Sequence, residues 1–475
     1  MNGTANPGAR QSVQLRISER RALFITGDVI SVILAVLSAL AAWAYVADEY
    51  FQGDFILRNS WWIVILTLLW LLLANVNNFY YWRVSGNIWR SLRQLLQINI
   101  QLLLVYMVIF FVSPRDALPR LFILYYSVLS FLYIILWRSV FWLLVTSRTS
   151  FQRRAVIVGT GWAARTIVET LRDEAVGEYA VVGLVADFDP RDTLTEMVPL
   201  LGSGRNLAEI VQQEAISEIV LADDAPLNGD VFQSVMDCYE KGITVVPMPL
   251  LYEEVTGRVP IEHVGQDEWK IILPLEAHGF FSPFQALKRV IDIVFSCVGL
   301  LLFGLLLPFI ALAIRLDSKG PVFYTQERLG KGGKPFRIIK LRSMVPDAER
   351  AGPQWARRDD PRITRVGRIL RKTRLDELPQ FINILRGEMS LVGPRAERPH
   401  FVDQLAKQIP FYRTRLVVRP GATGWAQVQY AYGNTVEDAL VKLQYDLYYI
   451  RHRSLFLDTL IILRTIGKML SFSGT

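Results

Sequence analysis

The sequence predicts a chain in three parts. Residues 1–150 form a membrane α-helical bundle of four spans, residues 151–278 a parallel α/β domain, and residues 279–475 a mainly α-helical domain with a re-entrant membrane helix. Three observations predict this. Of 475 residues, 52% are hydrophobic and only 20% charged, which excludes a disordered chain and disfavours an ordinary soluble enzyme. Four apolar runs near membrane length open the chain, and a fifth interrupts its second half. Between them, strand-like and helix-like patterns alternate.

The four runs are Leu23–Val46, Trp61–Val76, Leu95–Val112 and Leu121–Val145, and Asp28 and Arg138 are the charges inside them. Each approaches the roughly 20 residues a helix needs to cross the hydrocarbon. The first is too long for a cleaved signal peptide and lacks a small-residue cleavage site. Arg10, Arg16, Arg20 and Arg21 precede it, and Asp48, Glu49 and Asp54 follow it. Arg83, Arg90 and Arg93 lie in the second connection, and Arg148, Arg153 and Arg154 follow the fourth run. This charge bias puts the N-terminus inside and returns the chain there after four crossings. The fifth run, Ile293–Ile314, has cations on both flanks: Lys288 and Arg289 before it, Arg315 and Lys319 after it. Both ends therefore favour the same side of the membrane. Pro308 removes a helical hydrogen bond and favours a kink, so residues about 284–316 read as a re-entrant helix broken at Pro308. A plain fifth span would instead put the basic C-terminal third outside.

In the middle region, Ala155–Gly159 reads as a strand, and Gly159-Thr-Gly161 turns into a helix over Ala164–Leu171. Further strands follow at Tyr179–Asp187, Glu218–Ala222 and Ile243–Pro247. This alternation is Rossmann-like. Gly159 and Gly161 would admit a pyrophosphate to the helix N-terminus, and Asp187 would meet a ribose. A purely structural or regulatory domain is the competing interpretation, since such a fold does not imply a ligand. The chain holds no Tyr-x-x-x-Lys pair, which counts against a short-chain sugar-nucleotide epimerase or dehydratase.

From Arg315 onward there are 29 Lys/Arg against 15 Asp/Glu, whereas the rest of the chain is net acidic. Such a basic third points to an anionic partner. Two cysteines and four scattered histidines exclude a disulfide framework and a zinc site of ordinary spacing. Arg362–Arg374 reads as a basic amphipathic helix at a membrane interface, and Leu455–Leu470, too short and charged to span, as a second interfacial helix. Between them stands Leu375-Asp376-Glu377-Leu378-Pro379-Gln380. Pro379 suits the first turn of a helix, with Asp376 near its N-cap. Two adjacent carboxylates among many cations suit phosphoryl chemistry, one as nucleophile and the other holding Mg²⁺. An ordinary capping and salt-bridge role remains the alternative. Lys340 and Arg342 on one side of an extended segment, Arg395 after Gly393-Pro394, and Arg419 before Pro420-Gly421 would suit a diphosphate substrate.

These stretches carry a resemblance. Lys340-Leu-Arg-Ser-Met344, Arg371 to Gln380, Ser390-Leu-Val-Gly-Pro-Arg395, Arg419-Pro-Gly-Ala-Thr-Gly-Trp-Ala-Gln427 and Tyr445-Asp-Leu-Tyr-Tyr449 follow in order from about Phe284. They resemble the bacterial sugar transferase family, the monotopic polyprenyl-phosphate sugar-1-phosphate transferases, and the whole chain resembles its long form. The resemblance implies transfer of a sugar-1-phosphate from a UDP-sugar, glucose or galactose favoured, to undecaprenyl phosphate. That reaction would release UMP and start exopolysaccharide, capsule or O-antigen synthesis. It implies a covalent phosphosugar on Asp376, Glu377 as the Mg²⁺ partner, and Arg371, Lys340, Arg342, Arg395, Arg419 and Asp446 contacting phosphates or ordering the site. It matches Pro308 to the family's helix-breaking proline. It further implies a bacterial inner membrane location with the catalytic domain on the cytoplasmic face and the lipid bilayer as partner. Nucleic acid has no part in it, and a homodimer is the assembly carried as a guess. Two departures touch helix geometry alone: Arg374 stands where Ser is common, and Leu307 precedes the proline where the short forms have Ser. The competing functions are a membrane-bound epimerase or dehydratase and a non-catalytic assembly protein.

Overall fold

The computed structural model describes residues 17–46, 50–77, 79–80, 88–112, 120–146, 152–175, 178–186, 197–222, 229–261, 283–345, 348, 360–430, 433 and 435–470. The chain divides into two compact units, Met1–Leu251 and Tyr252–Thr475.

The four N-terminal runs are helices: Ile17–Val46, Ser60–Val76, Ile88–Val112 and Arg120–Thr146. Their buried side chains, among them Val32, Val36, Trp70, Leu102 and Tyr126, form one core. Leu34, Leu68, Leu104 and Leu132 face outward, as helices in an apolar solvent allow. Among the described residues, Ala22–Val46, Phe122–Phe141 and Pro283–Asp317 are long and apolar enough to cross a membrane, while Ser60–Val76 is shorter. The two charges buried in the runs meet. Arg138 Nη2 donates to Asp28 Oδ2 at 2.7 Å, and the guanidinium carbon lies 4.3 Å from the ring centres of both Phe24 and Phe79. An unpaired charge there would be costly, so each residue makes the other tolerable.

The α/β region holds a five-stranded parallel sheet. Its strands are β1 (Arg153–Val158), β2 (Tyr179–Val185), β3 (Leu200–Gly202), β4 (Glu218–Leu221) and β5 (Thr244–Pro247), in the order β3-β2-β1-β4-β5. In the central strand Ala155 through Val158 are all buried, as expected for the middle of a parallel sheet. β3 was not expected; three half-exposed residues at a sheet edge leave no periodic signal. Gly159 and Gly161 both take positive φ, and Gly161 caps the helix Trp162–Glu174. The turn therefore lies beside the point where the strand order reverses, between β1 and β4. Asp187 lies outside the described residues.

In the second unit, Val259 and Ile261 sit in a core with Trp425, Leu443, Leu447, Ile450 and Ile461. An apolar helix, Pro283–Asp317, runs along this unit, and Pro308 lies inside its helical run. Both of its ends are tied down. Arg289 donates to the carbonyls of Ile384 (2.6 Å) and Leu385 (2.7 Å). Asp292 accepts from Ser390 Oγ and the Leu391 amide. At the far end Val366 N donates to Asp317. Between the ends, Phe303 and Ile314 are buried with Leu341 and Leu370. The opposite face, Leu301, Leu305, Phe309, Leu312 and Leu316, is exposed at helical spacing. A contiguous apolar stripe of that size marks a surface made for something other than water.

An antiparallel hairpin follows, β6 (Phe323–Leu329) with β7 (Pro335–Leu341). The helix Arg365–Thr373 comes next, and the unit closes with the parallel pair β8 (Ser390–Val392) and β9 (Gly421–Thr423) and the helices Val436–Arg451 and Leu455–Leu470. Glycine brings these pieces close. A Cβ on Gly367 would stand 2.0 Å from the Ser343 carbonyl oxygen, and one on Gly421 would stand 2.1 Å from the Gly393 amide. The Lys340–Met344 and Arg419–Gln427 stretches therefore owe their glycine neighbours to backbone-on-backbone contact.

Candidate functional site

The basic helix stops because Arg374 takes a left-handed conformation (φ 55°). A single 3₁₀ turn, Leu375–Glu377, follows, and Pro379 then caps the helix Gln380–Arg386. The expected new helix is present, but its N-cap is Pro379; Asp376 lies in the preceding turn. This corner buries Asp376, which is 8% exposed. Burial, and then the neighbouring Glu377 charge, push the Asp376 carboxyl up to about 6, against the pull of Lys340 and Arg371. Glu377 behaves oppositely. Burial alone would raise it, but Lys340, Arg395 and Arg374 outweigh burial and hold it well below the usual carboxylate range. Lys340 Nζ donates to Glu377 Oε1 at 2.7 Å, Arg374 Nη1 lies 3.4 Å from Oε2, and Arg395 Nη2 lies 3.9 Å from Oε1. Two adjacent carboxylates are thus set apart, one basic enough to share a proton near neutrality and one fixed as an anion.

Of the expected cations, the structure brings Lys340, Arg371 and Arg395 to the carboxylates. Lys340 comes from β7 and shares a strand face with Ile338. Arg395 follows the Gly393-Pro394 turn, and its carbonyl is held by Arg415 Nη2 at 3.2 Å. Arg342, expected to share the face of Lys340, departs from it. β7 ends at Leu341, and Arg342 turns to donate to the carbonyls of Ser318 (2.7 Å), Lys319 (3.1 Å) and Ile314 (3.4 Å), closing the end of the apolar helix. Asp446 is likewise turned inward; it is buried and accepts from Arg415 Nη2 at 2.7 Å. Arg419 is exposed, and its backbone rather than its side chain meets Gly393.

A recess opens beside Glu377, lined by Arg328, Lys340, Gln380, Arg395, Gly421 and Ala422 among others. Arg328 and Gln380 were not expected here. The hairpin register supplies the missing signal for Arg328: it pairs with Phe336 and so shares a face with Ile338 and Lys340. Arg328 is held in place by Ala396 O and Gln326 Oε1. Among the described residues, no cluster of three or more His, Cys, Asp or Glu side chains forms a ready metal cage.

The geometry agrees with what the chain resembles among known proteins. A family model described as bacterial sugar transferase matches residues 284–472, and one described as CoA-binding domain matches residues 75–249. A UDP-N-acetylgalactosamine-undecaprenyl-phosphate N-acetylgalactosaminephosphotransferase of Aeromonas hydrophila is 42% identical over 54% of this chain and 60% of its own length. A UDP-glucose:undecaprenyl-phosphate glucose-1-phosphate transferase of Escherichia coli (strain K12) is 33% identical over 67% of this chain and 68% of its own length. An exopolysaccharide production protein PSS of Rhizobium leguminosarum bv. phaseoli is 42% identical over 39% of this chain and 96% of its own length. Together with the apolar helices and the acid pair in its basic surround, these matches make the chain a membrane protein and a transferase of the bacterial sugar transferase family.

Proposed function

We propose that this chain transfers a hexose-1-phosphate from a UDP-sugar to undecaprenyl phosphate, forming undecaprenyl-diphosphate-sugar and UMP. The observation that carries the proposal is the split pair: a buried Asp376 of raised basicity beside a Glu377 fixed by three cations. Asp376, ionised, attacks the phosphorus that bears the sugar. A carboxylate–phosphorus bond forms, the bond to the UMP oxygen breaks, and UMP leaves with the electron pair. The phosphate oxygen of the lipid then attacks the same phosphorus and returns the carboxylate to Asp376. Lys340, Arg371, Arg395 and Arg328 face this chemistry as cations able to hold phosphate oxygens. Two adjacent carboxylates, with no third His, Cys, Asp or Glu clustered on them among the described residues, fit Mg²⁺, which is commonly held by one or two carboxylates and completed by substrate phosphates. Asp376 and Glu377 would hold it, and it would neutralise charge on the transferring phosphoryl group.

Placement at a membrane face supports the same reading. The exposed apolar stripe of Pro283–Asp317 belongs to a helix whose two ends bind one globular unit. A helix so anchored suits dipping into one leaflet from the cytoplasmic side of a bacterial inner membrane, and the N-terminal runs suit four spans. The pathway served is exopolysaccharide, capsule or O-antigen synthesis. The test is UMP release by the purified chain from a panel of UDP-sugars, with undecaprenyl phosphate and Mg²⁺, for wild type and Asp376→Asn. Glucose, galactose and N-acetylgalactosamine donors belong in the panel. The expected result is release with one of them, dependent on the lipid and abolished by the substitution. Full activity in Asp376→Asn would refute the nucleophile.

A further inference from the structure

The last helix, Leu455–Leu470, reads from sequence as an interfacial helix. In the structure it lies against the stretch 423–427 at three points. Thr465 and Thr423 share a hydroxyl contact at 2.6 Å. The Arg464 guanidinium sits 5.0 Å from the Trp425 ring centre. Lys468 Nζ donates to the Gln427 carbonyl at 3.2 Å. The strand that carries Thr423 also carries Gly421 and Ala422, which line the recess beside Glu377. Arg464 and Lys468 are one turn apart on the same side of the helix.

A third cation stands nearby. The basic helix Arg365–Thr373, which ends at Arg374, packs against the last helix, and after burial Arg374 and then Arg464 hold the Lys468 ammonium below its ordinary range. Arg374 is the residue that both ends the basic helix and contacts Glu377 at 3.4 Å. Like charges held together in a half-buried place repel, and an anion among them relieves the repulsion. The apolar side chains on these helices tell where that anion arrives. Ile466 lies between the two cations in sequence and is exposed, as is Ile369 on the basic helix. Exposed apolar groups alternating with cations place the cluster at lipid headgroup depth.

We propose that Arg374, Arg464 and Lys468 form a second phosphate subsite that takes the phosphomonoester of the lipid acceptor, distinct from the Lys340, Arg395 and Arg328 side that would take the nucleotide's diphosphate. This rests on the transferase reading above. Arg374, touching Glu377, would pass the acceptor phosphate towards the phosphorus on Asp376. The last helix thus acts as a substrate-binding element as well as a membrane anchor.

The experiment measures KM for undecaprenyl phosphate and KM for the UDP-sugar separately, in full-length protein reconstituted in nanodiscs, for wild type, Lys468→Gln and Lys468→Arg. Loss of one charge-assisted phosphate contact corresponds to about tenfold in affinity. Lys468→Gln should raise the lipid KM about tenfold more than the donor KM, and Lys468→Arg should restore most of the difference. Inorganic phosphate should compete with the lipid in wild type and less so in Lys468→Gln. A larger rise in donor KM would assign the subsite to the nucleotide and overturn the proposal. Equal changes in both constants, or none, would overturn it too. A wild-type chain with no UMP release from any donor would instead sink the transferase reading itself.

Discussion

Arg342 offers the sharpest division between a binding and a structural residue. On sequence it pairs with Lys340 as a phosphate ligand; in the fold it closes a helix end. It is 7% exposed and donates to three carbonyls, two of them at 2.7 and 3.1 Å. Hydrogen bonds from a charged donor contribute about 1.5–3 kcal/mol each when both groups are buried. The two short contacts therefore contribute about 3–6 kcal/mol, the longer one to Ile314 adding little. Arg342→Met keeps the unbranched apolar stem and removes every donor, taking that partner from the Ser318 and Lys319 carbonyls. For a unit of this size each kcal/mol is roughly 2–4 °C in Tm, so the transition of the second unit should fall by roughly 6–24 °C. The assay is differential scanning fluorimetry in detergent, alongside KM for the UDP-sugar in the fraction that remains folded. A cap predicts a large fall in Tm and a donor KM within a factor of two of wild type. An unchanged Tm with a donor KM raised tenfold would refute the assignment and return Arg342 to the phosphates.

Three further outcomes are expected. UMP formation from the donor should follow ionisation of Asp376, falling about tenfold per pH unit below about 6 and levelling above it, with a limb in the ordinary carboxylate range refuting the raised basicity. The same shift makes stability depend on pH, because the fold holds that proton more tightly than the unfolded chain: the stability it contributes is fully present below the usual Asp range and lost as pH rises through about 6 in a denaturation series. Asp446→Asn leaves Arg415 charged and buried with its partner neutralised, and should cost about 3–5 kcal/mol by thermal or denaturant unfolding. A stable variant with a raised donor KM would give Asp446 back to the substrate.

Much of the molecule was legible because its signals are local. Apolar length marked the helices, alternation marked β1, β2, β4 and β5, and two adjacent acids amid cations marked the corner at Asp376. Pro379 after the acids announced the helix that begins at Gln380. These depend on residues within a few positions of one another, and backbone preference and burial act over that range.

What the sequence left open depends on partners far along the chain. Lys340 and Arg342 are alike in type and parity, yet β7 ends between them, so one meets Glu377 and the other the carbonyls of Ser318 and Lys319. Asp446 took its role from Arg415, which in turn fixes the backbone of Arg395. Arg328 joined the site through a hairpin register, and Lys468 through the docking of the last helix on Gln427. The sequence by itself determined the acid pair and part of its basic surround, since Asp376 and Glu377 are neighbours and Arg371, Lys372 and Arg374 stand just before them. Only the tertiary structure decided which other cations reach that pair, because a charge acts on whatever lies within a few ångströms of it, and that distance is set by packing rather than by order along the chain.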